Sequence, residues 1–169
     1  MARIPRAGVL YLFGPGMPCA GRRPPRLSEY DYTTNGAYFV SACTRDRACI
    51  FGAVVDGEMR PTGVGLIVEE CWSAIPEHFT GVRLDAFVLM PNHVHGILWL
   101  VGAGHAPPLP LVVGSFKSAV SRLSRRALWQ RSFYDRVIRN DTELQSMRQY
   151  IVDNPLKWAV DRENPTRNV

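Results

Sequence analysis

The sequence predicts an α+β fold in which two helices connect four strands of one antiparallel sheet, with a further helix behind them. Several short stretches are rich in β-branched and aromatic residues, which is typical of strands. Between them, apolar residues recur every three to four positions, which is typical of helices. Along the chain these stretches alternate as strand, helix, strand, strand, helix, strand, helix.

The first half of the chain contains a strand, a hairpin and a helix. Residues 37–44 form the first predicted strand. Asp56-Gly57 is a turn signal between two apolar stretches and predicts a β-hairpin over residues 50–59. Apolar residues spaced by three or four from Val64 to Phe79 predict a single helix that ends near Pro76 and Gly81.

The second half completes the sheet. Its predicted elements are strands at Val82–Met90, His93–Val101 and Gln130–Ile138, a loop at 102–108 and a helix over 113–127. The last helix begins near Asn140, where Thr142-Glu143-Leu144-Gln145 has the form of a capping box. This order is the ferredoxin-like βαββαβ arrangement with a trailing C-terminal helix.

The composition indicates a globular protein with an anionic partner. Of the 169 residues, 46% are hydrophobic and 21% are charged, as in ordinary globular domains. The net charge of +5 suggests that the partner is anionic. No apolar run reaches the roughly 18 residues of a membrane span, and no signal-like segment is visible near the N-terminus, so the expected location is the cytoplasm.

The positive charge is unevenly distributed. Residues 1–28 contain five arginines and no acid, lack periodicity and are predicted to form a basic irregular arm before a domain at 29–169. A second concentration follows the His93–Val101 strand, on the polar side of the second helix and along the next strand. These side chains suit contacts to the phosphates of an anionic partner: Lys117, Arg122, Arg125, Arg126, Arg131, Arg136 and Arg139.

Two pairs of residues could form a reactive site. Successive strand residues point to opposite faces, so His93 and His95 share one face and offer half of a metal site. On the last helix, Tyr150 and Asn154 are four residues apart and share a face. Each signal has a structural alternative: the histidines as a packed, hydrogen-bonded pair, Tyr150 as the edge of the core stripe, and Asn154 as a cap before Pro155.

Together these residue types suit phosphodiester chemistry. A tyrosine can attack a phosphodiester and hold the DNA end covalently. Two imidazoles and an amide oxygen can hold a divalent cation, Mg²⁺ or Mn²⁺, which neutralises the scissile phosphate. Tyr134 is a second candidate nucleophile, ranked below Tyr150 because it lies on a predicted strand without an amide four residues later.

Several stretches resemble a known family. Met90-Pro91-Asn92-His93-Val94-His95 resembles the HUH histidine motif of single-tyrosine transposases. The resemblance runs from about residue 27 to 160 and is strongest to the REP-associated tyrosine transposases of bacteria, named for repetitive extragenic palindromes. The other stretches that carry it are Tyr30-Asp31-Tyr32, residues 36–40, 113–118, 129–136 and 150–158.

The resemblance implies a site and a reaction. It implies that His93 and His95 are metal ligands and that Tyr150 is the nucleophile. Asn154 falls where the family places an amide ligand, although some relatives have Gln there. The implied activity is metal-dependent cleavage and rejoining of single-stranded DNA beside hairpins through a 5′-phosphotyrosine link, with the basic side chains of the second helix and of the next strand holding the DNA backbone. Both a homodimer and a monomer are compatible with the sequence. The alternatives are a hairpin-binding relative that does not cut and an HUH replication initiator.

Overall fold

The computed structural model describes residues 34–102 and 106–167. The predicted basic arm, the Tyr30–Tyr32 stretch and three residues of the 102–108 loop lie outside this range. The strands are β1 Gly36–Cys43, β2 Gly52–Val55, β3 Glu58–Pro61, β4 Val82–Met90, β5 His93–Leu100 and β6 Tyr134–Ile138. The helices are α1 Gly63–Ser73, α2 Ile75–His78, α3 Leu109–Leu123 and α4 Asp141–Asp153, with short 3-10 helices at Arg45–Arg47 and Pro155–Val160.

The central sheet has four antiparallel strands in the order β4-β5-β1-β6. Strands β1 and β4, joined through α1, lie two places apart with β5 between them, and β6 follows α3 on the other side of β1. This is the ferredoxin-like arrangement, so the predicted fold is confirmed. The β2-β3 hairpin, turning at Asp56-Gly57 as predicted, forms a separate two-stranded sheet.

Each face of the sheet packs against different helices. Tyr38, Val40 and Leu98 belong to the apolar cluster under α1 and α3, whereas Phe39 and Ile97 belong to the cluster under α4. Strand alternation explains the division, because neighbouring residues of a strand face opposite sides.

One glycine in β5 is required by the packing of α1. A Cβ on Gly96 would lie 2.3 Å from the Trp72 ring of α1. The missing side chain therefore makes the space in which that indole packs against the sheet.

Three of the predicted helices differ from the observed ones. The helix expected over residues 64–79 is divided into α1 and α2, because Pro76 has no N–H to continue the helical hydrogen bonds. Helix α3 starts at Leu109 rather than 113 and ends at Leu123, before Arg125, which has a left-handed backbone (φ 54°). The cap of α4 is Asn140, whose Oδ1 accepts from the Glu143 amide at 2.9 Å, and not Thr142.

The strand expected from Gln130 begins only at Tyr134. The preceding segment makes one isolated bridge, between Thr44 and Trp129. Three consecutive carbonyls of this segment, of Gln130, Arg131 and Ser132, accept from the Lys117 ammonium at 2.7, 3.3 and 3.2 Å. Carbonyls that converge on one ammonium cannot at the same time alternate in the manner of a strand, so the pairing is interrupted.

Candidate active site

The two histidines lie at the start of β5, on the face that α4 covers. His93 and His95 are 0% and 1% exposed, and they stand opposite Cys43 and Ser41 of β1. Their ring centroids are 4.6 Å apart. The short Pro91-Asn92 turn joins β4 to β5, so both imidazoles lie side by side on the same face of β5, in the buried centre of the site.

Asn92 fixes the orientation of His93. The Asn92 Nδ2 donates to the carbonyls of Arg47 and Glu163 at 3.0 and 2.6 Å, which leaves its Oδ1 as an acceptor. That Oδ1 is 2.8 Å from His93 Nδ1, so Nδ1 carries the ring proton and donates it. The Nε2 of the neutral ring is therefore left with a free lone pair, the form that a metal ligand needs.

Tyr150 and Asn154 reach the histidines from α4. The Tyr150 hydroxyl is 3.3 Å from His95 Nε2, and the two ring centroids are 5.3 Å apart. Phe39 supports both rings, with centroid distances of 5.3 Å to His95 and 6.0 Å to Tyr150. Asn154, the C-cap residue of α4, is only 2% exposed. All four residues predicted to form the site are thus brought together within one chain.

Three buried polar atoms at this place have no hydrogen-bond partner among the described residues: His93 Nε2, His95 Nδ1 and Asn154 Oδ1. Leaving such an atom unsatisfied costs about 1–3 kcal/mol, so native proteins rarely tolerate three together without a reason. Two ring nitrogens and an amide oxygen are all electron-pair donors of the kind that a divalent cation accepts. The residues present therefore fit a metal.

Burial keeps both imidazoles neutral. Desolvation lowers the pKa of His93 to about 3, although the neighbouring Asn154 side chain acts in the opposite direction. Desolvation, followed by the charge of His93, lowers the pKa of His95 well below its usual value. Neutral rings keep their lone pairs at physiological pH, which is the state required for metal ligation.

Two ion pairs hold α4 against the sheet on either side of its apolar stripe. Arg148 donates to both carboxylate oxygens of Asp85 on β4, at 2.8 and 2.6 Å. Trp99 donates to the same carboxylate at 2.9 Å, and these bonds, that of Arg148 foremost, lower the pKa of Asp85 to about 2. At the start of the helix, Arg136 of β6 pairs with Glu143. Because Arg148 precedes Tyr150 by two residues, the first pair fixes the part of α4 that carries the hydroxyl.

Tyr134 occupies a different position on the same face. It lies on β6, opposite Ser41 of β1, and its ring contacts Phe39 at a centroid distance of 6.4 Å. Burial raises the pKa of its hydroxyl. The structure therefore places Tyr150, and not Tyr134, in hydrogen-bonding range of a histidine, which agrees with the ranking of the two tyrosines.

The seven basic residues expected to bind DNA do not form one surface. The Lys117 ammonium is engaged with the carbonyls of residues 130–132, and burial lowers its pKa to about 8. Arg136 is engaged with Glu143. Arg122 lines a cavity between α1, α2 and α3 with Glu70 and His78, on the face opposite the histidines. The remaining members, all exposed, are Arg125, Arg126, Arg131 and Arg139.

Some residues of the site were missed by the sequence reasoning. Asn92 was part of the recognised motif but was given no role, and Asp85 and Arg148 were not considered. Their functions depend on partners that are distant in sequence. The one available signal was that Asn92 is a polar residue directly before the histidine pair in an otherwise apolar stretch.

Comparison with known proteins identifies relatives. No protein-family model matches the chain. A Haemophilus influenzae protein described as uncharacterized is 31% identical over 165 residues, which cover 83% of this chain and 92% of that relative. A second Haemophilus influenzae protein, named "Putative REP-associated tyrosine transposase", is 23% identical over 146 residues, covering 78% and 77%.

A solved structure has the same fold. The structure of a REP-associated tyrosine transposase bound to a REP hairpin matches with a TM-score of 0.61 and 21% identity, over 78% of this chain and 74% of that one. Among the residues described for the present protein, none forms a helix long and apolar enough to cross a membrane.

The chain shares the fold of that transposase, and its ferredoxin-like sheet places paired histidines opposite a tyrosine on α4. In sequence and in fold, the chain is similar to the REP-associated tyrosine transposases. The resemblance that the sequence predicted is confirmed by these relatives.

Proposed function

We propose that the protein is a transposase that cleaves and rejoins single-stranded DNA beside imperfect hairpins, with Tyr150 as the nucleophile. The observation that carries the proposal is that the Tyr150 hydroxyl lies 3.3 Å from His95 Nε2, in a site where His93 Nε2, His95 Nδ1 and Asn154 Oδ1 have no hydrogen-bond partner among the described residues. Hairpin DNA as the partner is supported by the related transposase of the same fold, which was solved bound to a REP hairpin.

In the proposed reaction, the Tyr150 oxygen attacks the scissile phosphorus. A bond forms between that oxygen and phosphorus, while the bond from phosphorus to the 3′ oxygen of the preceding nucleotide breaks. The Tyr150 hydroxyl releases its proton to water, and the departing oxygen takes a proton from water to become a free 3′-hydroxyl. The 5′ end remains linked to Tyr150. Attack by another 3′-hydroxyl on this phosphotyrosine releases the tyrosine and rejoins the strand.

His93, His95 and Asn154 would hold the divalent cation, Mg²⁺ or Mn²⁺. When bound, the cation supplies positive charge that neutralises and orients the scissile phosphate. Asn92 keeps the His93 lone pair directed into the site. With its proton on Nε2, the His95 ring donates to the Tyr150 oxygen and stabilises the phenolate, while Nδ1 keeps its lone pair.

Covalent capture of DNA tests this function. A hairpin oligonucleotide with a single-stranded flank and a 3′ label should remain attached to the protein in denaturing gels when Mg²⁺ or Mn²⁺ is present, and not in EDTA. The Tyr150→Phe variant should lose the adduct while keeping hairpin binding. Tyr134→Phe is the matched control, because it removes the hydroxyl of the other candidate tyrosine on the same face, and it should retain the adduct.

Two outcomes would overturn the proposal. Undiminished adduct in Tyr150→Phe would reject the nucleophile. If the wild-type protein bound the hairpin but did not cleave it with either metal, the protein would be a hairpin-binding protein and not an enzyme.

A further inference from the structure

A groove lies beside the candidate active site, at the end of the sheet where the histidines stand. It consists of a cavity of about 760 Å³ lined by Arg45, Asp46, Arg47, Trp129, Gln130 and Arg131. A second cavity, of about 550 Å³, continues it toward α3 and shares Trp129, Gln130 and Arg131. We name the two together the Trp129 groove.

We propose that the Trp129 groove binds the phosphate backbone of the single-stranded DNA segment adjoining the cleaved bond, through Arg45 and Arg131. The proposal rests on the proposed function and extends it, because it assigns a path by which the strand reaches Tyr150. It also gives a role to Arg45, which the sequence analysis did not select.

Backbone hydrogen bonds connect the groove directly to the histidine end of the sheet. The Arg45 amide donates to the Leu128 carbonyl at 2.7 Å, and the Gln130 amide donates to the Cys43 carbonyl at 2.9 Å. Cys43 stands opposite His93 in the sheet. At about 3.3 Å per residue, Arg45 begins roughly 7 Å beyond that pair, so one strand of DNA can lie in the groove and extend to the active site.

The charges of the groove suit phosphate. Arg45, Arg47 and Arg131 are exposed, and Asp46 is the one acid among the lining residues of the first cavity. Arg47 pairs with the buried Glu163 at 3.1 Å. The ion pairs found among the described residues do not include Arg45 or Arg131. These two guanidinium groups therefore remain to bind phosphate, for which their planar, forked geometry is well suited.

The walls of the groove are held in place by buried contacts. Asp46 and Arg47 both have left-handed backbones, with φ of 57° and 55°, a conformation that costs non-glycine residues about 1–3 kcal/mol each and is concentrated at functional sites. The Asn92 side chain donates to the Arg47 carbonyl and supports this loop. On the opposite wall, the Lys117 ammonium holds the carbonyls of residues 130–132.

The burial of its components favours a single strand over a duplex as the ligand. Tyr150 is partly buried between α4 and the sheet, so only an unpaired strand can bring its backbone to the hydroxyl. The Trp129 indole is 7% exposed and packs on Phe51 and Phe116, so it offers no free face for base stacking. Binding through the groove should therefore depend on phosphates and not on base sequence.

The test measures binding of fluorescein-labelled dT12 to the full chain by anisotropy, at several salt concentrations. For Arg45→Gln/Arg131→Gln we expect at least about a tenfold weaker Kd at low salt. The salt dependence, log K against log [salt], should become shallower by about 1.4, since each lost phosphate contact to a single strand contributes about 0.7. Arg60→Gln/Arg83→Gln, which removes two exposed arginines away from the groove, should change neither quantity.

A double substitution by lysine distinguishes the effect of losing the two charges from the effect of disturbing the structure of the groove. Arg45→Lys/Arg131→Lys keeps both charges and should retain the salt dependence of the wild type. An unchanged Kd and salt dependence in Arg45→Gln/Arg131→Gln would overturn the proposal that the Trp129 groove binds DNA. An equal loss of affinity in the Arg60/Arg83 control would also overturn it. Because dT12 binding requires no cleavage, this result is distinguishable from failure of the proposed function, which is read from the covalent adduct.

Discussion

The face of the sheet under α1 and α3 packs Tyr38, Val40 and Leu98 into a large apolar cluster, whereas the face under α4 buries two histidines and an asparagine beside a smaller one. Strand β5 contributes to both. Its residues Val94 and Leu98 enter the apolar cluster, and His93 and His95 enter the site.

The difference between the faces separates stability from chemistry. Three buried polar atoms under α4 have no hydrogen-bond partner among the described residues, which opposes folding. Burial of apolar area under α1 and α3 offsets that cost. The histidines are consequently held on a strand that the apolar cluster stabilises. The predictions below test whether the two faces are independent, in order of decreasing expected effect.

Leu98→Ala should affect stability alone. Leu98 is 0% exposed within the α1/α3 cluster, and truncating such a leucine costs about 2–5 kcal/mol of unfolding free energy. Denaturant unfolding measures this loss, while titration with Mn²⁺ below the unfolding transition should give the wild-type affinity. A Mn²⁺ affinity reduced along with stability would show that the faces are coupled.

His93→Ala should have the reverse effect. Loss of a direct ligand should weaken Mn²⁺ binding by more than about 100-fold, beyond the loss expected for an outer partner. Electron paramagnetic resonance of free Mn²⁺ gives the affinity, and His78→Ala, an exposed histidine on α2, is the control. Wild-type affinity in His93→Ala would reject the metal site.

Asn92→Ala should weaken Mn²⁺ binding by about 10–100-fold, because His93 loses the acceptor that fixes its Nδ1 proton. Asn92→Asp keeps an acceptor oxygen and should retain more of the affinity than the alanine variant. The same titration measures both. Equal affinities for Asn92→Ala and the wild type would show that the His93 tautomer is set in another way.

Asp85→Asn should produce the smallest change, slowing covalent capture by about 3- to 10-fold as α4 docks less firmly. The control is Asp153→Asn, which removes a carboxylate of α4 that is ion-paired with Lys157 and not with Arg148.

Since the pKa of Asp85 is lowered to about 2, its contribution to stability is present above its usual pKa of 3.8 and is lost as the pH falls toward 2. The difference in thermal stability between Asp85→Asn and wild type should shrink over that range; a constant difference would contradict the ion pair.

The sequence was sufficient where the geometry is local. Alternation along a strand places His93 and His95 on one face, and the helical repeat places Tyr150 above Asn154, so all four residues could be selected in advance. The resemblance of residues 90–95 to a known motif then supplied the chemistry. The four-stranded sheet followed from the order of the elements.

The features that the sequence did not predict depend on contacts between segments that are far apart in the sequence. The orientation of Asn92 is set by carbonyls 45 and 71 residues away. Lys117 appeared to be a free cation on a helix face, but its ammonium binds carbonyls 13 to 15 residues later. Arg45 was not selected, because its position beside the histidines results from the pairing of β1 with β5.

The central claim is that Tyr150 forms the covalent link, and peptide mapping of the DNA adduct tests it most directly. Trypsin cleavage after Arg148 and Lys157 places Tyr150 in the peptide 149–157, whereas Tyr134 falls in the peptide 132–136. After nuclease digestion of the captured DNA, mass spectrometry should find the nucleotide phosphate on the peptide that contains Tyr150. A nucleotide on the peptide that contains Tyr134 would contradict the account.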